Sequence, residues 1–282
     1  MPKVQGEKTV VFIKRSILYV AITLGAIFVL FPFFWMVFVA IKPEGQAFSL
    51  TISFAKPLWK NFVSIATDPS YPFWRFFINS LIVATMGAAL TTLFCSMGGY
   101  VFAKKDFYLK EILFWFLLST MMIPGMMFLV PQFAIVTKLH WINTYKGMVI
   151  PHVASVFGIF MMRQYIETIP SSLIESAKID GASELQIFFR IIIPLSLAIT
   201  TTLFLLTFLF HWSNFLWHLV VNTPDSPKLT LPVGLALFRG QYQMDWEKMM
   251  AASCFTIIPI AILFLLAQKF FIEGLTSGAV KE

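Results

Sequence analysis

The sequence contains little charge and almost no cysteine. Only 12% of its 282 residues are Asp, Glu, Lys or Arg, whereas soluble domains carry about a quarter. Long uncharged segments are stable only in contact with lipid or with each other, so the composition excludes an ordinary soluble protein. The two cysteines, Cys95 and Cys254, are too few for a disulfide framework. Both lie in apolar runs, where we expect small buried side chains.

Motifs of familiar catalytic chemistry are also missing. The sequence has no G-x-x-x-x-G-K-[ST], no H-E-x-x-H and no G-x-S-x-G, which argues against hydrolysis of ATP or a peptide by this chain. His211 and His218 have no third candidate ligand nearby in the sequence, so we expect no metal site. No basic run exceeds two residues, which gives no support for nucleic-acid binding. We predict no catalytic residue, no metal and no cofactor in this chain.

Apolar residues are in large excess, at 58% of the chain, and include 32 Phe. Six apolar segments approach or exceed the roughly 20 residues that a helix needs to cross a bilayer. Backbone hydrogen bonding favours helices in that environment. The sequence therefore predicts an all-α integral membrane protein with six spans. The predicted spans are Ile17–Ile41, Phe76–Ala103, Ile112–Thr137, Gly147–Met162, Ile191–Val221 and Met249–Gln268.

Three prolines lie inside these predicted spans. Proline lacks the backbone N–H that a helix needs, so we expect a kink at each position. Helix bundles tolerate such kinks where neighbours or a cavity satisfy the freed carbonyl group. The three residues are Pro124, Pro131 and Pro259.

The spans predict one transmembrane domain with both chain ends on the same side of the membrane, because their number is even. The basic pairs Lys14-Arg15 and Lys104-Lys105 directly flank span ends. Positive charge at span ends favours the cytoplasm, so we predict cytoplasmic termini. The predicted limits are 1–16 for the N-terminal segment, 17–272 for the transmembrane domain and 273–282 for the C-terminal tail.

A charged segment separates the fourth and fifth predicted spans. Ser172 and Glu175 have the S-x-x-E spacing of a capping box, which starts a helix. Gly181 is suited to the left-handed residue that ends a helix. Ser183 and Gln186 have the spacing of a second capping box. The sequence therefore predicts helix, turn, helix here.

The charged segment comprises residues 163–190. Its first helix is predicted to be amphipathic. Leu173, Ile174 and Ala177 are apolar, and polar residues occupy the other face. The apolar face has no evident partner within the segment. This pattern favours a surface helix that docks to another protein.

The charged segment also carries a family resemblance. Glu175-Ser176-Ala177, Gly181, Ile191 and Ile193-Pro194 stand at the spacing E-A-A, three residues, Gly, nine residues, I-x-L-P. This resembles the cytoplasmic signature of the membrane subunits of binding-protein-dependent ABC importers, with Ser176 for Ala and Ile193 for Leu. Other stretches are similar to the carbohydrate branch, especially the smaller maltose-type permease. They are PFFWMVFVAIKP, NSLIVA, GGYVFAKKDF, LTLPVGLALF, DWEKMMAAS and FFIEGLTSGAVKE.

The resemblance implies a multi-pass cell-membrane permease that moves a sugar or oligosaccharide inward by alternating access. It implies that separate subunits bind ATP and Mg. The implied partners are a second homologous permease, two ATP-binding subunits and an extracytoplasmic solute-binding protein. The implied ATPase-coupling residues are Glu175, Ser176, Ala177, Asp180 and Gly181, and the implied tail contacts are Gly274, Gly278 and Lys281.

Purely structural roles stay open for these residues. Glu175 is also placed to cap, Gly181 to terminate and Ala177 to pack, and the tail is equally compatible with a frayed terminus. An importer for an amino acid or polyamine also stays open. A secondary transporter is disfavoured, because no Asp, Glu or Lys lies well inside a predicted span.

Polar and aromatic side chains within spans are candidates for the transport path, because each is costly against lipid. Aromatic faces stack on sugar rings and amides bind hydroxyl groups. An interfacial belt is the alternative for the tryptophans. The resemblance to the maltose-type pair also implies that sugar contacts lie mainly on the other permease subunit, in which case this chain forms mostly wall and gate. The candidates are Asn79, Gln132, Trp212, Asn214 and Trp217.

Overall fold

A computed structural model describes residues 3–49, 59–67, 72–241 and 245–276. Every regular element within these ranges is a helix, as the composition predicts. Three helices are long and apolar enough to cross a bilayer, and three bent helix pairs reach that length together. The maximum of six crossings agrees with the predicted number.

The helices are numbered α1 to α14 in chain order. Short 3₁₀ turns at Gly125–Phe128 and Ile150–His152 precede α5 and follow α6, and a π-helical turn at Phe188–Ile192 follows α9. The helices are α1 Lys3–Ala40, α2 Lys60–Thr67, α3 Phe73–Lys104, α4 Lys110–Thr120, α5 Leu129–Lys138, α6 Tyr145–Val149, α7 Val156–Glu167, α8 Ser171–Ile179, α9 Glu184–Ile187, α10 Ile193–Leu195, α11 Leu197–Ser213, α12 Leu216–Val220, α13 Leu231–Gln241 and α14 Trp246–Thr276.

The chain forms two compact units, Met1–Tyr71 with Tyr242–Phe255, and Pro72–Gln241 with Thr256–Glu282. The first unit contains α1, which includes the first predicted span except for its last residue, Ile41, and extends well before residue 17. The last helix, α14, continues past residue 273. Helical structure therefore extends beyond both predicted limits of the transmembrane domain.

A buried lysine organises the chain after α1 in the first unit. The Lys42 ammonium donates to the carbonyl groups of Ala47, at 3.3 Å, and Ser49. It also lies 4.2 Å from the centre of the Phe38 ring. Asn61 of α2 donates to the Lys42 carbonyl at 2.7 Å. These contacts close the loop and satisfy the buried charge.

The second unit is built around α3, which packs against α7 and α11. Small residues allow the close approach of α7. A Cβ atom at Gly99 would lie 2.5 Å from the Cβ of Met162, and one at Gly158 would lie 2.8 Å from the Cys95 sulfur. Helices in membranes gain contact area in this way. Larger side chains at these two glycines would force α3 and α7 apart.

The third predicted span, Ile112–Thr137, is two helices and not one. α4 and α5 bend by 91° around the turn at Gly125–Phe128. Pro124 directly precedes that turn, so its predicted kink is a full break. Pro131 is the third residue of α5, where the backbone N–H needs no helical acceptor, and the kink predicted there is wrong. The kink at Pro259 within α14 stays a prediction.

The fourth and fifth predicted spans are also interrupted. The fourth, Gly147–Met162, bends by 50° between α6 and α7. The fifth, Ile191–Val221, bends by 85° just before α11, and its last part forms a separate α12. Pro194 removes a backbone donor near the second bend, and the Ser196 hydroxyl donates to the Ile192 carbonyl at 2.6 Å. The bend therefore lies inside the predicted fifth span, a few residues after its predicted start at Ile191.

The second unit has one apolar core at each end of α3. The core at the Lys104 end joins α3 and α7 to the charged segment and to α11, through residues such as Ile166 and Ile187. The core at the Phe73 end joins α3, α5, α6 and α12, through residues such as Val136 and Trp217. Each bent helix pair therefore runs between the two ends.

Candidate functional site

The charged segment contains a tightly closed turn after α8. Gly181 has a φ angle of +81°, which residues with a Cβ atom adopt at a cost. The Gly181 N–H donates to the Lys178 carbonyl at 3.0 Å, and the Ala182 N–H donates to the Ala177 carbonyl at 2.9 Å. These two bonds form a Schellman motif. The predicted role of Gly181 in ending the helix is confirmed.

The two predicted capping boxes have different outcomes. Ser183 accepts from the Gln186 N–H, and the Gln186 side chain accepts from the Ser183 N–H at 2.7 Å, so the second box is confirmed. The first box is wrong, because α8 begins at Ser171 and its N-cap residue, Pro170, makes no side-chain cap. Ser172 and Glu175 therefore lie inside the helix, and Glu175 does not cap it.

The apolar face of α8 packs on the protein itself. Ile174 is buried in the core at the Lys104 end together with Ile187 and Phe188, and Ala177 packs against the same core. The expectation that this face lacks an apolar partner is therefore wrong. Residues after the turn, Ile187 and Phe188, supply part of the apolar partner of α8.

The opposite face of α8 and its turn is open. Four of the five predicted coupling residues are exposed, and only Ala177 is partly buried. Two apolar side chains beside them were not predicted: Ile179 is 86% exposed and Leu185 is 61% exposed. Both side chains are free to contact a partner. This coupling surface consists of Glu175, Ser176, Ile179, Asp180, Gly181 and Leu185.

Glu184 connects the charged segment to the Lys104 end of α3. Its carboxylate accepts from the Tyr100 hydroxyl at 2.9 Å and forms an ion pair with Lys105. The hydrogen bond from Lys105 holds the pKa of the Glu184 carboxyl below its ordinary value. Lys104 donates to the carbonyl groups of Glu167 and Ile169 just before α8. Tyr100, Lys104 and Lys105, at the end of α3, thus hold both halves of the segment.

A second polar cluster joins α4 to α7 at the same end. The Arg163 guanidinium donates to Glu167 at 2.9 Å and to Glu111 at 3.0 Å. Its central carbon lies 3.8 Å from the centre of the Phe114 ring. A guanidinium group suits this combination because it is planar and carries several donors. The cluster therefore attaches α4, the first half of a bent pair, to α7, which leads into the charged segment.

A cavity of about 830 Å³ lies between α5, α7, α11 and α12 in the second unit. Three of the five predicted transport-path residues line it: Gln132, Asn214 and Trp217. Trp217 also donates its indole N–H to the Gly147 carbonyl at 3.1 Å. The cavity therefore brings together residues that are far apart in the sequence.

The other two predicted path residues lie outside the cavity wall. Asn79 is buried, donates to the carbonyl groups of Pro227 and Leu229 at 2.9 Å each, and accepts from the Tyr145 hydroxyl at 2.7 Å. Trp212 is buried against Phe208, with ring centres 5.7 Å apart. The geometry of both residues is that of structural anchors.

His152 also lines the cavity and was not predicted as a path residue. Its ring lies 5.3 Å from that of Trp217 and 5.5 Å from that of Phe210. No sequence pattern marks it, because its neighbours come from distant helices. Within the described residues, no group of three or more His, Cys, Asp or Glu side chains is arranged to hold a metal ion.

The C-terminal tail is described only in part. Gly274 lies within α14. Gly278 and Lys281 lie outside the described residues, so their predicted contacts stay predictions.

Comparisons with known proteins match this architecture. Residues 95–276 match the family described as "Binding-protein-dependent transport system inner membrane component". The arabinooligosaccharides transport system permease protein of Bacillus subtilis (strain 168) is 34% identical over 277 residues, which cover 97% of this chain and 94% of that protein. The trehalose/maltose transport system permease protein of Thermococcus litoralis is 33% identical over 272 residues, which cover 95% of this chain and 98% of that protein.

The fold is also similar to a solved structure. A chain in the crystal structure of a bacterial ABC transporter involved in the import of the acidic polysaccharide alginate superposes with a TM-score of 0.75. It is 24% identical, and the match covers 89% of this chain and 94% of that one. At this identity the likeness concerns the fold alone.

Proposed function

The chain belongs to the family of binding-protein-dependent transport system inner membrane components, and we propose that it is the membrane-spanning permease subunit of an ATP-driven sugar importer. The relatives named for arabinooligosaccharides and for trehalose and maltose match nearly its whole length. The importer moves its sugar inward. This chain forms part of the transport path, and partner subunits contain the ATPase sites.

The coupling surface is the observation that carries this proposal. A capped helix-turn-helix is held to α3 on one side, and it displays Ile179 and Leu185 on the other. The chain has no phosphate-binding loop, so energy has to come through a partner. We assign this surface to the docking of an ATP-binding subunit.

The proposed assembly contains a second homologous permease, two ATP-binding subunits that carry ATP and Mg, and an extracytoplasmic solute-binding protein. A chain in a crystal structure described as an alginate transporter with its substrate-bound periplasmic protein shares this fold, with a TM-score of 0.60 and 19% identity. We place the termini and the charged segment in the cytoplasm. We also propose that the tail, with Gly274, Gly278 and Lys281, contacts the ATP-binding subunits.

The proposed mechanism is alternating access. Closure of the ATP-bound subunits moves the charged segment, and the paired permeases then open outward. ATP shifts this equilibrium only because the closed dimer prefers the outward state. Hydrolysis restores the inward state. Catalysis of hydrolysis belongs entirely to the partner subunits.

The test is an Ile179→Asp variant of the complex purified from membranes. A charge at this exposed position disturbs docking without disturbing the core of this chain. We expect the ATP-binding subunits to be lost on purification and ATP-driven sugar uptake to fall to background. The matched control is Leu139→Asp, which makes the same change at an exposed side chain near the Phe73 end of α3. Retention of the ATP-binding subunits and of uptake by Ile179→Asp would contradict the proposal.

A further inference from the structure

The cavity of the second unit has an uncharged wall. None of the residues described along it is Asp, Glu, Lys or Arg. Its polar groups are hydroxyls, amides and imidazoles, and aromatic rings accompany them. The volume of about 830 Å³ is typical of small-molecule sites. The wall therefore provides hydrogen bonds and apolar ring faces but no countercharge.

Three side chains of this wall have hydrogen-bonding capacity that the protein does not use. Within the described ranges, the Gln132 amide has no hydrogen-bond partner. Asn214 accepts from the Trp217 N–H at 3.2 Å, but its amide nitrogen has no described acceptor. The buried Nδ1 atom of His152 is also unpaired in this part of the chain. The unpaired buried atom of His152 is costly, and the half-buried amides of Gln132 and Asn214 beside it have free N–H donors. Together the three groups suit a ligand rich in hydroxyls.

Aromatic rings beside these groups leave part of their surface open. Phe128 is 41% exposed and Phe215 is 39% exposed, and both line the cavity. Open ring faces next to free amides match the two surfaces of a sugar, which has apolar C–H faces and hydroxyl edges. The wall is therefore complementary to a saccharide.

An acidic substrate requires a different wall. A carboxylate or phosphate that leaves water needs Arg, Lys or several directed N–H donors. The fold itself occurs in an importer of the acidic polysaccharide alginate, so the architecture does not exclude such cargo. Side chains on the path therefore have to distinguish acidic from neutral sugars.

We propose that this cavity is a saccharide-contact site on the chain and that it accepts uncharged sugars while excluding sugar acids and sugar phosphates. Gln132, Asn214 and His152 bind hydroxyl groups, and the rings of Phe128 and Phe215 pack on the C–H faces. This inference rests on the proposed function, because the site belongs to the same transport path.

The test uses the complete complex, with its partner permease, ATP-binding subunits and solute-binding protein, in proteoliposomes. The background carries Cys95→Ala and Cys254→Ala. Single cysteines are then introduced as Gln132→Cys or Asn214→Cys. The matched control is Asp225→Cys, because Asp225 is exposed in the loop that follows α12 but does not line the cavity. Labelling by a membrane-impermeant maleimide is timed during ATP-driven turnover.

The neutral probes are maltose, lactose and arabinotriose, and the anionic probes are digalacturonate and sn-glycerol 3-phosphate. At a concentration about four times the dissociation constant, a neutral probe that is transported should slow labelling of both cavity cysteines about fivefold. It should not change labelling of Asp225→Cys. The anionic probes should have no effect at any position.

The outcomes separate this inference from the proposed function. Uptake of a neutral sugar without protection of either cavity cysteine would overturn the contact site and leave the importer function standing. Protection by an anionic probe would overturn the selection against charge. Absence of uptake of every probe by the parent complex, whose cysteines are intact, would overturn both proposals.

Discussion

At the scale of single residues, substitutions at Gly181 test backbone strain alone, because an added Cβ atom meets no neighbouring atoms. Its φ angle is +81°, and a Cβ atom built there would meet nothing within 4 Å. Gly181→Ala should therefore destabilise the turn by about 1–2 kcal/mol through the backbone alone. Because Asn tolerates left-handed backbone better than Ala, Gly181→Asn should retain more sugar uptake than Gly181→Ala. Uptake by the reconstituted complex measures the difference.

The control for this series is Gly25→Ala in α1, where the added Cβ also has open space and the helical backbone favours Ala. No loss of uptake is expected. Equal uptake by Gly181→Ala and Gly181→Asn, both below the parent, would show that the flexibility of glycine matters and not its left-handed conformation.

Asn79 should behave as a structural residue and not as a sugar contact. Asn79→Asp replaces the amide donor to Pro227 and Leu229 by an acceptor, so buried carbonyl groups lose their partner. Each such loss costs about 1–3 kcal/mol, and thermal unfolding of the purified complex should begin at a lower temperature. Tyr145→Phe removes only one hydrogen bond and should cost about 1 kcal/mol. A raised KM for sugar without a lower unfolding temperature would instead place Asn79 in the path.

At the scale of elements, Glu184 is predicted to transmit force between the charged segment and α3. The Glu184 carboxylate pairs with Lys105 and accepts from the Tyr100 hydroxyl. Glu184→Gln removes its negative charge. The coupling surface is unchanged, so ATP-binding subunits should still co-purify. Less sugar should be imported per ATP hydrolysed, since the segment is less firmly held to α3. Parallel assays of uptake and ATP hydrolysis give this ratio.

The cost in stability should be small, below about 1 kcal/mol, because the Glu184 side chain is half-exposed. Its pKa is lowered in the folded protein, so this contribution is present above the unfolded pKa and lost as the pH falls through the folded pKa. The difference in unfolding temperature from the parent should therefore shrink below about pH 4. Glu44→Gln, at another exposed carboxylate, is the matched control. An unchanged import ratio in Glu184→Gln would contradict the transmitting role.

The outcomes for individual elements show what local patterns can and cannot predict. Ser183 and Gln186 cap a helix through neighbours in sequence, so their box was predictable. The two carbonyl partners of Asn79 lie about 150 residues away in the sequence, and hydropathy contains no information about them. The break before α5 was predicted only as a kink at Pro124, and the break before α11 was missed, because apolar composition continues across both while the helix axis turns.

At the scale of the whole molecule, the two cores of the second unit order its crossings. Glu111 in α4 pairs with Arg163 at the Lys104 end, whereas Val136 in α5 lies in the core at the Phe73 end. Ile166 in α7 returns to the first core, and Trp217 in α12 returns to the second. The bent pairs therefore alternate in direction like the spans of a membrane bundle, in spite of their bends.

This alternation predicts the side of the membrane on which each loop lies. Positive charge at Lys104 and Lys105 favours the cytoplasm for one end, so Tyr108→Cys and Thr168→Cys should react with an impermeant maleimide only after cells are permeabilised. His140→Cys and Asp225→Cys should react in intact cells, because they belong to the opposite end. All four positions are exposed, so access through the protein does not limit labelling. If the pair α4 and α5 only dipped into the membrane, His140→Cys would instead label with Tyr108→Cys, and the six-span topology would be wrong.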